Sequence, residues 1–96
     1  MTPREVETAL EACDGVREAY VVGLPDPARG QVVAAAVVLE AGATAEEDRL
    51  RADLKATLSA YKVPRRFGFY AHEALPFTDS GKIDKRALAA LMVADR

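Results

Sequence analysis

Gln31-Val32-Val33-Ala34-Ala35-Ala36-Val37-Val38-Leu39 decides the fold. After Gln31 the run is apolar throughout, and its valines favour a strand. Just upstream, Val16 to Leu24 is a second strand candidate, with Ala19-Tyr20-Val21-Val22 apolar on both faces, as a covered strand requires. Pro25-Asp26-Pro27-Ala28-Arg29-Gly30 between them is a turn by composition. So short a link makes the two strands antiparallel neighbours.

Outward from this hairpin the pattern turns helical. Thr2-Pro3-Arg4-Glu5 reads as a helix start, with Thr2 and Glu5 as a capping box and Pro3 at the first helical position. Val6, Ala9, Leu10 and Cys13 follow at the spacing of one apolar face, and Asp14-Gly15 ends the helix. On the other side, Ala41-Gly42-Ala43 breaks the strand and Thr44-Ala45-Glu46-Glu47 reads as a second capping box. The helix it opens is predicted to run to about Ala60, with Leu50, Leu54 and Leu58 in one row and a Glu47–Arg51 pair. Tyr61-Lys62-Val63-Pro64 is a linker, and Arg65 to Ala71 a third strand with Phe67 and Phe69 on one face. Asp84 caps a last helix whose apolar face is Leu88, Leu91 and Met92, with Ile83 and Leu88 at the staple positions. The reading is an α+β fold in the order α-β-β-α-β-α, a three-stranded sheet packed with about three helices.

With 96 residues, the chain is one small domain, half hydrophobic, with net charge −2. That balance argues against a nucleic-acid binder driven by phosphate neutralisation. The charge is uneven. Residues 1–55 hold 11 acids against 6 bases, and residues 56–96 hold 4 acids against 7 bases. An anion site in the second half is therefore chemically reasonable. Cys13 is the single cysteine, so an internal disulfide and a cysteine-based metal site are ruled out, which fits a reducing cytoplasm. The charges within residues 1–15 leave no signal-peptide pattern, and no apolar run approaches the roughly 18 residues of a membrane span.

The stretch Leu75-Pro76-Phe77-Thr78-Asp79-Ser80-Gly81-Lys82-Ile83-Asp84-Lys85-Arg86 carries the chemistry. Pro76 ends what precedes it, Thr78 to Gly81 favour a turn, and Gly81 accepts positive φ without steric cost. Lys82 then stands just before the last helix, a compact cation on a flexible stem. By residue type alone it is a solvated surface lysine. A phosphate loop is rejected, because Pro76 stands at the first glycine position and Ile83 at the hydroxyl position. His72, the only histidine, reads as a loop residue without a role, and a metal site has too few ligands. Cys13 reads as a buried structural thiol, and Glu46 to Lys55 as the wet face of a helix. Phe67, Phe69 and Tyr70 are core and sheet-edge residues.

Several segments together resemble the C-terminal subdomain of the acyl- and aminoacyl-adenylating enzymes: acyl-CoA synthetases, peptide-synthetase adenylation domains and luciferases. They are Pro3-Arg4-Glu5-Val6-Glu7, then Ala19 to Asp26 with Gly30, then Tyr61-Lys62-Val63-Pro64, then Leu75 to Leu88. Tyr-Lys-Val-Pro and Ser-Gly-Lys-Ile are more like acyl-CoA synthetases, while Asp84-Lys85-Arg86-Ala87-Leu88 points toward peptide synthetases. Gln31 departs from the family's usual glutamate, and the segment from Pro64 to Pro76 is about two residues longer than the common pattern.

The resemblance implies that residues 1–96 are the C-terminal subdomain of an AMP-forming acid–thiol ligase, cut near an element boundary from an N-terminal domain and hinge that bind ATP and the acid. It implies a small mobile lid carrying Lys82 in for adenylate formation and out for thioester formation. Lys82 is the catalytic residue, acting as an electrostatic clamp rather than a base; Gly81, Pro76 and Ser80 position its loop. Lys55, Lys62, Arg65 and Arg66 are candidate contacts to CoA phosphates. ATP with Mg2+ and CoA are the implied cofactors of the complete enzyme, with no metal site here, and this chain alone is expected to bind none of them and to be inactive. Its implied partners are the N-terminal adenylation domain, a carboxylic acid, and a protein acetyltransferase acting on Lys82. The alternatives are a peptide-synthetase lid or a stand-alone module that is an acetyltransferase substrate.

Overall fold

The computed structural model describes residues 3–28, 30–44, 46–59 and 62–94. Helix α1 (Pro3–Glu11) is followed by strands β1 (Val16–Asp26) and β2 (Gly30–Leu39), helix α2 (Glu47–Lys55), strand β3 (Arg66–Phe69), a 3-10 turn (His72–Ala74) and helix α3 (Lys85–Ala94). The order α-β-β-α-β-α is the predicted one. The sheet order is β1-β2-β3, with β1 antiparallel to β2 and β3 parallel to β2.

β2 is central and its residues alternate between two cores. Val33, Ala35, Val37 and Leu39 face one layer, where Ala35 and Val37 lie beneath Val6 and Leu10 of α1 and Leu50 and Leu54 of α2. Val32, Ala34, Ala36 and Val38 face the other, with Leu75 and with Leu88 and Met92 of α3. A strand covered on both faces has no position for a polar side chain, which is why the run reads as unbroken apolar. Alanines at 34, 35 and 36 are fully buried and let the helices approach closely. Each fully buried leucine contributes about 2 kcal/mol of transfer free energy.

The element ends differ from expectation in several places. β1 continues through Pro25 and Asp26, which pair with Gln31 and Gly30. The connection is thus tighter than the predicted turn from Pro25 to Gly30. Pro25 is tolerated because β1 is an edge strand, where one row of N–H groups has no ladder partner. α1 stops at Glu11, and the Cys13 N–H turns back to the Leu10 carbonyl at 2.9 Å. Cys13 is half-buried rather than buried, its Sγ 3.5 Å from the Ala9 carbonyl oxygen. The capping box proposed at Thr44–Glu47 does not form: Glu46 is the N-cap and makes no side-chain cap bond. α2 ends at Lys55 rather than near Ala60, because the N–H groups of Ala56 and Thr57 drop to carbonyls three residues back, which tightens the last turn. β3 is limited to Arg66–Phe69 instead of Arg65 to Ala71. The Thr2 cap, Arg29 of the turn, Ala60 and Tyr61 lie outside the described residues.

Other expectations hold. Arg51 pairs with Glu47 at 2.9 Å. It also reaches across to β3, where its guanidinium donates to the Arg65 carbonyl at 3.0 Å and lies 5.3 Å from the Phe67 ring centroid. Phe67 packs on the α1/α2 core, Tyr70 on the α3 core, and Phe69 is 41% exposed at the sheet edge. Asp84 caps α3, its Oδ1 accepting from the Ala87 N–H at 3.0 Å. Among the described residues, no helix is long and apolar enough to cross a membrane.

Candidate functional site

Lys82 stands on a small hairpin between the 3-10 turn and α3. Phe77 and Ile83 form its antiparallel bridge. Above the bridge, the Thr78 N–H donates to the Lys82 carbonyl at 2.7 Å and the Gly81 N–H to the Thr78 carbonyl at 2.9 Å. Asp79, Ser80 and Gly81 are the three-residue loop, closed by Gly81 at φ +86°. Below the bridge, the Asp84 N–H donates to the Pro76 carbonyl at 2.9 Å, so Pro76 and Asp84 tie the stem as α3 begins. Ser80 Oγ lies 3.0 Å from Thr78 Oγ1 across the loop. Pro76, Ser80 and Gly81, expected from the sequence to position the loop, all lie in this hairpin.

Lys82 is exposed at the tip, and its side chain makes no ion pair with any described residue. Its charge is therefore uncommitted. The other predicted cations are placed differently. Lys55 is exposed at the end of α2, Arg65 is exposed and Arg66 half-buried at the head of β3. Lys62 pairs with Glu5 of α1 at 2.7 Å, so part of its charge is already engaged. None of the four belongs to the hairpin.

Two clusters hold the hairpin to the sheet, and both rest on β1. The first is aromatic. The Phe77 ring stacks on His72 at a centroid distance of 4.7 Å and meets Tyr20 edge-on at 6.1 Å. Glu18 joins their polar ends: the Tyr20 hydroxyl donates to Oε1 at 2.5 Å, and His72 Nδ1 lies 2.8 Å from Oε2. Burial pushes the Glu18 carboxyl up, but these two hydrogen bonds outweigh it and hold the group below its ordinary value. Burial and the Glu18 carboxylate together raise the Tyr20 phenol well above its ordinary value. His72 therefore has partners that its reading as an idle loop residue did not assign.

The second is ionic. Glu7 of α1 is 6% exposed and is the buried charged residue among those described. Its Oε2 accepts from the Val21 N–H at 2.7 Å and from Lys85 Nζ, which also donates to the Val21 carbonyl at 2.6 Å. The Glu7–Lys85 pair is not legible in the sequence. Both lie inside segments of the resemblance, Glu7 in Pro3–Glu7 and Lys85 in Leu75–Leu88, but nothing local joins residues 78 positions apart. Beside this clasp a cavity of about 570 Å³ opens between β1 and α3, lined by Val21, Gly23, Gln31, Lys85, Arg86 and Ala89 among others.

The model of the AMP-binding enzyme C-terminal domain matches residues 5–82 of the chain. The chain belongs to this family. It is 44% identical over 86 residues to a long-chain-fatty-acid–CoA ligase of Bacillus subtilis, covering 90% of this chain and 15% of that protein. It is 45% identical over 87 residues to an acetyl-coenzyme A synthetase of Deinococcus radiodurans, covering 91% of this chain and 13% of that protein. Among solved structures it is similar to an acyl-CoA synthetase of Brucella canis, with TM-score 0.84 and 40% identity over 97% of this chain and 17% of that one. It also matches the amide bond synthetase McbA of Marinactinospora thermotolerans, with TM-score 0.85 and 40% identity over 95% of this chain and 18% of that one. The chain thus spans about one sixth of the proteins it resembles.

Proposed function

We propose that this chain is the C-terminal lid of an ATP-dependent, AMP-forming acyl-CoA synthetase and supplies Lys82 to adenylate formation. Residues 1–96 are then one domain of a ligase whose ATP and carboxylic acid sites belong mainly to an N-terminal domain. The observation that carries the reading is the uncommitted Lys82 charge at the tip of a hairpin secured at its stem, in a chain related to CoA ligases.

The chemistry explains why a cation is needed there. Joining a carboxylic acid to the α-phosphate of ATP brings two anions together and builds charge on the phosphoryl oxygens. A lysine between them offsets the repulsion and stabilises that charge. An exposed Nζ that pairs with no carboxylate among the described residues fits this role, because no ion pair seen there has to be broken. ATP would come with its usual Mg2+, held outside this chain. The mobile lid follows from the two-step reaction: Lys82 enters for the first step and leaves before a thiol attacks. Lys55, Arg65 and Arg66, without an ion pair among the described residues, are the candidates to meet CoA phosphates in the second pose, with Lys62 a weaker candidate because of Glu5. The reading places the enzyme in the cytoplasm, where ATP, CoA and reduced thiols are found.

The test uses the complete enzyme with Lys82→Ala. Pyrophosphate exchange should fall by about 10²-fold or more, the cost of removing one preorganised charge from a transition state. Thiolysis of a supplied acyl-adenylate should be unchanged. Equal loss in both half-reactions would remove the clamp assignment. The likeness to an amide bond synthetase supports a second reading in which the acceptor is an amine. Assaying supplied adenylate with CoA and with an amine in parallel separates the two.

A further inference from the structure

We propose that Glu18, His72 and Tyr20 form a positioning cluster that fixes the lysine hairpin onto β1 through Phe77 and so sets where Lys82 is presented. The inference rests on the reading of Lys82 as the adenylation cation and adds to it the residues that aim it.

The argument begins with the hairpin's own weakness. It has one bridge and a three-residue loop, and a two-stranded ribbon of this size is marginal by itself. Its tip is exposed from Thr78 to Lys82. Besides the Asp84–Pro76 backbone bond at the stem, its rigidity rests on how the two bridge residues are packed. Ile83 is held by the α3 core. Phe77 is half-buried against the same core, and its ring also stacks on His72 and meets Tyr20 edge-on. Such pairs are directional because of the ring quadrupole.

One carboxylate takes the Tyr20 hydroxyl on one oxygen and His72 on the other. Glu18 belongs to a strand paired with β2, opposite Val38, so its backbone is part of the sheet. An exposed histidine–glutamate pair by itself contributes little. Here the pair is shared with a second donor and its histidine carries the stacked Phe77 ring, so loss of one group releases the others. His72 begins the 3-10 turn in the stretch between β3 and Pro76. Catalytic geometry is sensitive at this scale, since a shift of about 1 Å can cost about 10²-fold in rate.

The experiment has two arms. In the first, ¹⁵N relaxation of this chain reads the Thr78 to Lys82 amides. His72→Ala should lower their order parameters from about 0.85 toward 0.6, with amides of α1 and β2 unmoved. His72→Phe retains the stacked ring but loses the bond to Glu18, and should lower them less than His72→Ala. In the second, the complete enzyme with His72→Ala or Glu18→Gln should lose about 3- to 10-fold in pyrophosphate exchange, a fraction of the full misplacement cost. Thiolysis of supplied adenylate should hold steady, and His72→Phe, which keeps the stacked ring but not the Glu18 bond, should recover activity in part. Unchanged hairpin amides in His72→Ala, or a His72→Phe variant as impaired as His72→Ala, would overturn the proposal. Lys82→Ala is run alongside. If it leaves pyrophosphate exchange intact, the adenylation reading falls, while the relaxation arm still judges the cluster.

Discussion

Lys85, the first residue of α3, is ion-paired with Glu7 of α1, and the two side chains together satisfy the outward-facing N–H and C=O of Val21. β1 is an edge strand, and an open edge invites pairing with another chain. The clasp closes this edge where the strand passes the start of α3, and it joins three elements at one backbone residue.

Breaking the clasp from the cationic side should be costly. Lys85→Met leaves the nearly buried Glu7 carboxylate with only the Val21 N–H and a 3.5 Å contact to Arg4. The expected loss is about 1–3 kcal/mol, from a charge stranded with too few partners. Adding Glu7→Gln should recover part of it, because an amide still accepts from Val21 and carries no charge. Urea denaturation of the two single variants and the double variant reads the coupling; strict additivity would mean that the pair does not interact.

Gly81 needs its positive φ but not an empty side-chain volume. A Cβ there would meet nothing within 4 Å. Gly81→Ala should therefore carry only the left-handed backbone penalty, about 1–2 kcal/mol against the hairpin, and Gly81→Asn less. Hairpin amide exchange checks this, and Gly81→Val should be worse than either.

Acid should act through Glu18. Its folded-state carboxyl lies below the ordinary value of 4.5, so its contribution is present above about pH 4.5 and is lost as pH falls through the lower folded value. Stability measured at pH 6, 4.5 and 3 should fall less steeply in Glu18→Gln than in the parent chain. Parallel slopes would show that Glu18 is not among the groups responsible.

Neutralising Lys82 without shortening it should mimic its removal. Acetylation, or Lys82→Gln, takes away the charge, and pyrophosphate exchange should fall by about the same 10² as in the alanine variant. We propose Lys82 as a site for a protein acetyltransferase because it is exposed on a glycine-preceded loop. Mass spectrometry after incubation with such an enzyme and acetyl-CoA checks it, with modification elsewhere and an unmodified Lys82 as the contrary result.

The α3 core should be unforgiving. Leu88 is fully buried directly beyond the Asp84 cap. Leu88→Ala should cost about 2–5 kcal/mol, read as a lower thermal midpoint.

Much of the fold could be read locally. Leu50 and Leu54 declare the buried face of α2, Asp84 caps α3 within three residues, and Gly81 marks its turn by residue type. Lys82 was legible as a cation on that turn, though assigning it chemistry needed the family segments around it. Element ends were less readable. Pro25 continues β1 because that strand has a free edge, and α2 ends early because its last turn tightens. Neither fact is written in residue type.

By itself, the sequence determined the order of elements, the unbroken apolar second strand and the turn that carries Lys82. These depend on periodicity, caps and backbone preferences, which act over a few residues. Only the tertiary structure decided that Glu7 meets Lys85 and that Glu18 gathers Tyr20 and His72 beneath Phe77, because those partners are brought together by the strand pairing that makes β1 an edge. The parallel placement of β3 belongs to the same class, since it follows from how α2 and its connection cross the sheet. What secures the lysine hairpin is therefore non-local, although the hairpin itself is a local structure.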